Sequence, residues 1–132
     1  MATHPIMFDD DDPVLSRVRA LALALPEAEE RVAHGRPWFF AGQAFAVYGG
    51  GTKGPDQVRH DHALLVHVDD DERPARRADP RFFVPAYVGP KGWLGIDVDA
   101  PDTDWTEVAE LLDASFRWVA SARLVRELDA RT

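Results

Sequence analysis

Phe82-Phe83-Val84-Pro85-Ala86-Tyr87-Val88-Gly89-Pro90-Lys91-Gly92-Trp93 places four aromatics, two prolines, two glycines and a lysine within twelve residues. Irregular backbone runs over the protein surface and usually sheds apolar side chains. A loop this aromatic and this restricted either folds back onto the core or presents a surface. The bends of such a loop need glycines, because left-handed backbone is costly for other residues. Gly89 and Gly92 are the positions expected to supply positive φ, while Phe82, Tyr87 and Trp93 pack on a neighbouring sheet.

The segments around this loop define an α+β pattern. Asp12-Pro13 reads as a helix start, with Asp as N-cap and Pro at the first helical position. Val14, Leu15, Val18, Leu21, Ala22 and Leu25 follow at helical spacing, and Pro26 stops the run. Extended segments are expected at Glu29–His34, Pro37–Phe40, Gln43–Tyr48, His62–Val68, Arg81–Val84 and Trp93–Val98, with a tight turn at Ala41-Gly42. The glycine-rich stretch Gly49–Asp61 reads as a mobile connection. A short helix follows Asp69–Glu72 and ends near Ala78. Asp104-Trp105-Thr106-Glu107 has capping-box spacing and opens a helix striped by Trp105, Val108, Leu112, Phe116 and Val119, which continues beyond Ser121 after a break.

The expected architecture is α+β in two layers: an antiparallel sheet of five to six strands with about three helices, order α-β-β-β-α-β-β-α, the helices largely on one face. Met1–Asp11 reads as a flexible acidic leader and 12–132 as a single domain. A chain of 132 residues can bury its own core without staples. It has no cysteine, which excludes disulfides, thiolate catalysis and zinc–thiolate or iron–sulfur sites. The longest apolar run, Ala20–Leu25, falls far short of the ~20 residues that span a bilayer. A cytoplasmic protein with no membrane contact is the expectation.

The net charge of −8 is unsuited to a dedicated nucleic-acid binder. Eight of the acids lie in the runs Asp9–Asp12 and Asp69–Glu72, just before predicted helices, where helix N-termini favour them. The region from Arg73 to Lys91 is instead locally basic.

These residues also carry a family resemblance. Ala24-Leu25-Pro26-Glu27, His34-Gly35-Arg36-Pro37-Trp38-Phe39, Asp79-Pro80-Arg81-Phe82-Phe83, Pro85 through Trp93, Trp105-Thr106-Glu107-Val108 and Leu111-Leu112-Asp113-Ala114-Ser115-Phe116 together resemble the MmcQ/YjbR family, a bacterial-type domain, from Leu15 to Ala120. The resemblance implies a compact two-layer domain and a DNA-binding role. It carries no catalytic residue set. The glycine-rich Gly49–Asp61 stretch and the acidic leader depart from the family pattern.

Four groups of residues are candidates for chemistry, each with a structural alternative. Arg36, Arg76, Arg77, Arg81 and Lys91 are candidates for binding nucleic acid or another anion, with Arg73, Lys53 and Arg59 nearby. Their alternative is a solvated face balanced by acids. Trp38, Tyr87 and Trp93 are candidates for an aromatic contact surface, or else for core. His34 could carry a proton beside an anion-gripping Arg36, or occupy a simple strand-to-strand bend. His60 and His62, which share a face on a regular strand, together with His67 suggest metal binding, but two imidazoles are too few for a tetrahedral site. Solvated loop histidines are the alternative.

No phosphate loop, dinucleotide fingerprint, nucleophile elbow or H-E-x-x-H is present. No enzyme activity, cofactor or metal is expected. Three functions remain open. One is a polyanion-binding domain using Arg36, Arg76, Arg77, Arg81, Lys91 and Trp93. The second is a protein-interaction or homodimerisation module using the aromatic loop and Trp38. The third is a small-ligand pocket near His34 and Tyr87.

Overall fold

A computed structural model describes residues 5–131. They form α1 (Pro13–Leu23), β1 (Glu29–Ala33), β2 (Arg36–Ala41), β3 (Gln43–Gly51), β4 (Arg59–His67), α2 (Arg73–Ala78), β5 (Phe82–Phe83), β6 (Trp93–Asp97), α3 (Trp105–Val119) and α4 (Ala122–Asp129). A single 3-10 turn at Gly89–Lys91 precedes β6. The six strands make one antiparallel sheet in the order β1-β2-β3-β4-β6-β5. The fold is therefore the expected α+β one. Its first two helices are separated by four strands, and the last helical segment divides into two helices.

The helix starts follow from their caps. Asp12 Oδ1 accepts the Val14 N–H with Pro13 opening α1, and Asp104 accepts from the Thr106 and Glu107 N–H groups at the start of α3. Glu107 does not close the capping box back onto Asp104, because its carboxylate is engaged by Arg76 and Arg81. Ser121 caps α4 and supplies the break between the last two helices.

Turn chemistry sets the register of the first hairpins. His34 (φ 52°) and Gly35 (φ 77°) are both left-handed between the paired Ala33 and Arg36. This is the geometry of a two-residue type I′ turn, whose twist suits a hairpin. Gly42 (φ 83°) makes the next reversal.

The stretch read as a mobile connection, Gly49–Asp61, is strand at both ends, with residues 52–58 as the connection between them. β3 runs through Gly51 and β4 begins at Arg59, with Gly50 facing His60 and Gly51 facing Arg59. Gly49, Gly50 and Gly51 belong to the sheet, whereas Gly54 (φ 108°) lies in the connection. Gly49 (φ 91°) lies at a register shift between Tyr48 and Gly50, and a side chain on Gly50 would run into Leu65.

The leader also differs from expectation. Met1–His4 lie outside the described residues, and the remainder of the segment is anchored. The Met7 N–H donates to the Gly35 carbonyl, Phe8 packs against the core, and Asp10 pairs with Arg19. Hydrophobic contact and backbone pairing outweigh the local charge of the aspartate run.

The main core lies between one face of the sheet and α1, α3 and α4. It is built from Leu15, Val18, Phe39, Phe45, Tyr48, Leu64, Val66, Leu94, Leu112, Phe116 and Leu124. Phe45 and Phe116 meet edge to face at 5.6 Å, the arrangement their ring quadrupoles favour. Ser115, fully buried in α3, donates to the Phe45 carbonyl at 2.6 Å and accepts the His67 N–H at 3.1 Å. One hydroxyl thus ties the long helix to two central strands. The opposite face carries a smaller cluster of Val47, Ala63, Leu65 and Trp93, packed by Trp38, Ala44, Phe83 and Val88.

Candidate functional site

The loop between β5 and β6 is a strap. Leaving Phe83, the chain reaches the end of β3, where the Ala86 N–H donates to the Gly51 carbonyl at 2.8 Å. It then returns through the 3-10 turn to β6. Val88 packs onto the second cluster, and Trp93 is only 4% exposed. Gly92 (φ 91°) supplies the left-handed turn expected of it. Gly89 does not; its small size accommodates Val84, which a Cβ there would strike. The unexpected left-handed residue is Tyr87 (φ 68°), which is 92% exposed.

The loop is therefore core and surface at once. Phe82, Pro85 and Trp93 are buried, Phe83 is half-buried, and Tyr87 stands out from them. Val84 and Val58 are exposed as well. Val58 borders the same seam, because the Thr52 N–H bonds to its carbonyl next to Gly51. Trp38 is half-buried on the second face; its indole N–H donates to the Ala33 carbonyl, and its ring stacks with Phe40.

The structure does not gather the basic candidates into one face. Arg36 is 7% exposed and donates to Asp61 at 2.8 Å and to the Met7 carbonyl. Burial works against ionisation of Asp61, but Arg36 and Arg59 outweigh it and hold the carboxyl below its ordinary range. Arg76 and Arg81 converge on one carboxylate, Glu107, at 2.9 and 2.8 Å. Arg81 also pairs with Asp79. These contacts, Arg81 first, pull the Glu107 pKa down against the cost of its burial. Arg73 binds the Val68 carbonyl through two nitrogens and pairs with Asp70. Arg77 and Lys91 remain exposed.

The histidines also separate. The register shift in β4 sends His60 onto Phe83, ring to ring at 3.8 Å, with Nδ1 at 2.9 Å from Asp97. His62 lies instead beside Tyr48 and Asp12. The two therefore do not share a face, contrary to the strand periodicity. No group of three or more metal-ligating side chains occurs among the described residues. His34 is accounted for by its hairpin turn.

One cluster was not legible in the sequence. The Tyr48 hydroxyl donates to Asp12 Oδ2 at 2.6 Å, and His62 Nδ1 lies 2.9 Å from that same oxygen. Burial opposes the charge on Asp12, but bonds from Tyr48, the Val14 N–H and His62 hold its pKa below the ordinary value. Burial and the Asp12 charge push the Tyr48 phenol far up. Asp12 was recognisable as a cap, but its partners lie 36 and 50 residues away.

A sheet covered by helices on one face and by an aromatic strap on the other defines a small two-layer α+β domain. The chain belongs to the YjbR family, whose characteristic sequence pattern matches residues 23–118. No curated protein and no solved structure matches it significantly. No helix among the described residues is long and apolar enough to cross a membrane.

Proposed function

We propose that this YjbR-family chain is a non-enzymatic protein-interaction domain that engages its partner through the strap, with Tyr87 as the central contact. The observation that carries this reading is the state of Tyr87: a large aromatic, 92% exposed, held at φ 68°. Left-handed backbone costs a non-glycine residue about 1–2 kcal/mol, and such strain concentrates at functional positions. Exposed tyrosines are favoured anchors of protein contacts. The Ala86–Gly51 bond and buried Pro85 hold the residue beside Tyr87 in place, so the contact is preorganised.

The family resemblance favours nucleic acid as the alternative ligand. Pairing of Arg36, Arg76 and Arg81 with carboxylates weighs against it, because phosphate contacts need cations that are free to replace counterions.

A photo-crosslinking side chain at position 87 of the full chain, compared with one at Arg126, tests the proposal in cells. The expected result is one recurrent protein adduct at position 87, a second copy or another chain, that Val84→Asp abolishes. Equal labelling from both positions would overturn it. So would duplex DNA binding that falls steeply with salt and is lost in Arg77→Ala and Lys91→Ala variants.

A further inference from the structure

Where the strap rejoins the sheet, a cleft of about 400 Å³ opens between the end of β4, α2 and α3. Its wall includes His67, Asp69, Arg73, Lys91, Gly92 and Trp118. His67 is 7% exposed, and its Nδ1 is the only buried side-chain nitrogen or oxygen among the described residues without a hydrogen-bond partner. Asp69 lies 3.9 Å from it, beyond hydrogen-bond reach. Desolvation lowers the His67 pKa, which favours a neutral ring. A neutral imidazole with an unpartnered Nδ1 places its proton best on Nε2, since an unpaired buried lone pair costs less than an unpaired N–H.

Nε2 faces Gly92, whose missing side chain lets the Arg73 guanidinium lie over its backbone. A Cβ there would lie 3.3 Å from His67 Nε2 and would also meet Arg73 Nη2. Two nitrogen donors therefore meet over Gly92 at the cleft wall, and Lys91 stands on the same wall. Its backbone N–H bonds to the Val88 carbonyl, while its ammonium pairs with no described residue. Trp118 is half exposed and lies parallel to His67 at 3.5 Å, which leaves its other face available. Asp70 is paired with Arg73 and also lines the cleft. With Asp69 it disfavours a multiply charged ligand.

We propose that this cleft binds a small planar aromatic monocarboxylate, its ring on the open face of Trp118 and its carboxylate at Lys91, Arg73 Nη2 and His67 Nε2. The volume is in the range of small-ligand sites, the aromatic platform favours a flat ring, and cationic donors favour a carboxylate. The two aspartates select one negative charge over two.

The test is an amide and indole NMR titration of the full chain with benzoate, with adenosine monophosphate as the doubly charged comparison. Saturable benzoate shifts are expected at the Trp118 indole N–H and the Gly92 amide. Lys91→Ala, at an exposed position that leaves the core intact, is expected to weaken binding at least about fivefold, and Trp118→Ala to abolish it. The inference is overturned by no saturable shift at millimolar benzoate or by unchanged affinity in Lys91→Ala. Tighter binding of the nucleotide would also overturn it.

Discussion

The Tyr48 hydroxyl donates to Asp12 Oδ2 at 2.6 Å while Oδ1 of the same carboxylate caps α1 through the Val14 N–H at 2.9 Å. One side chain therefore starts the first helix and attaches it to a central strand. Its two oxygens serve different elements, so the charge is compensated where burial would otherwise penalise it.

Removing the phenol separates those roles. Tyr48→Phe retains the cap but leaves a buried acceptor short of a donor, which costs about 1–3 kcal/mol. Urea unfolding is expected to show a lower midpoint at an unchanged m-value. Because the folded pKa of Asp12 lies below its ordinary 3.8, its contribution is present above that value and lost as pH falls through the folded pKa. Wild type and Tyr48→Phe should therefore converge in stability under acid conditions.

The raised Tyr48 pKa has its own optical signature. In a Tyr87→Phe background, where Tyr48 is the only tyrosine left, phenolate absorbance on raising the pH should appear only with loss of the near-ultraviolet circular dichroism of the fold. Phenolate formation in the intact fold would show that the Asp12 contact is absent.

Ser115→Ala removes one hydroxyl but orphans two backbone groups, the Phe45 carbonyl and the His67 N–H. A loss of about 2 kcal/mol is expected, read by thermal or denaturant unfolding. A neutral outcome would mean that α3 moves to repair the gap.

Glu107→Ala releases Arg76 and leaves Arg81 paired with Asp79 alone. If pairing is what silences the basic residues, low-salt affinity for duplex DNA should rise several-fold over wild type, with a steeper salt dependence. An unchanged affinity would mean that Arg76, the arginine set free, points away from any surface a duplex can reach.

Tyr87→Gly tests strain against use. Glycine adopts positive φ without steric cost, so stability should hold or rise by up to about 1 kcal/mol while co-purification of the partner identified by crosslinking is lost. A fall in melting temperature would assign Tyr87 to the fold instead.

Much of the architecture was legible because it rests on local chemistry. Asp12-Pro13 and Asp104 begin helices for reasons within one turn, and the apolar stripe of α3 needs no distant information. The glycines of β3 misled for a physical reason: composition signals flexibility, whereas Gly50 is small because Leu65 occupies the opposing space. The candidate site was less legible. Whether Arg76 is free depends on Glu107, 31 residues away, and the facing of His60 depends on a register shift that strand periodicity does not encode. The burial of Trp93 beside an exposed Tyr87 lay within one quoted loop, but which aromatic faces inward is decided by the sheet beneath.

The single Ala86–Gly51 bond has a consequence for handling and expression. The strap supplies Val88 as cover for Leu65 and Trp93, and that bond joins it to the β3–β4 hairpin. If the strap lifts, an apolar sheet face becomes wet without any helix unfolding. Such a face promotes aggregation, so changes near position 86 should act first on solubility and only later on melting temperature.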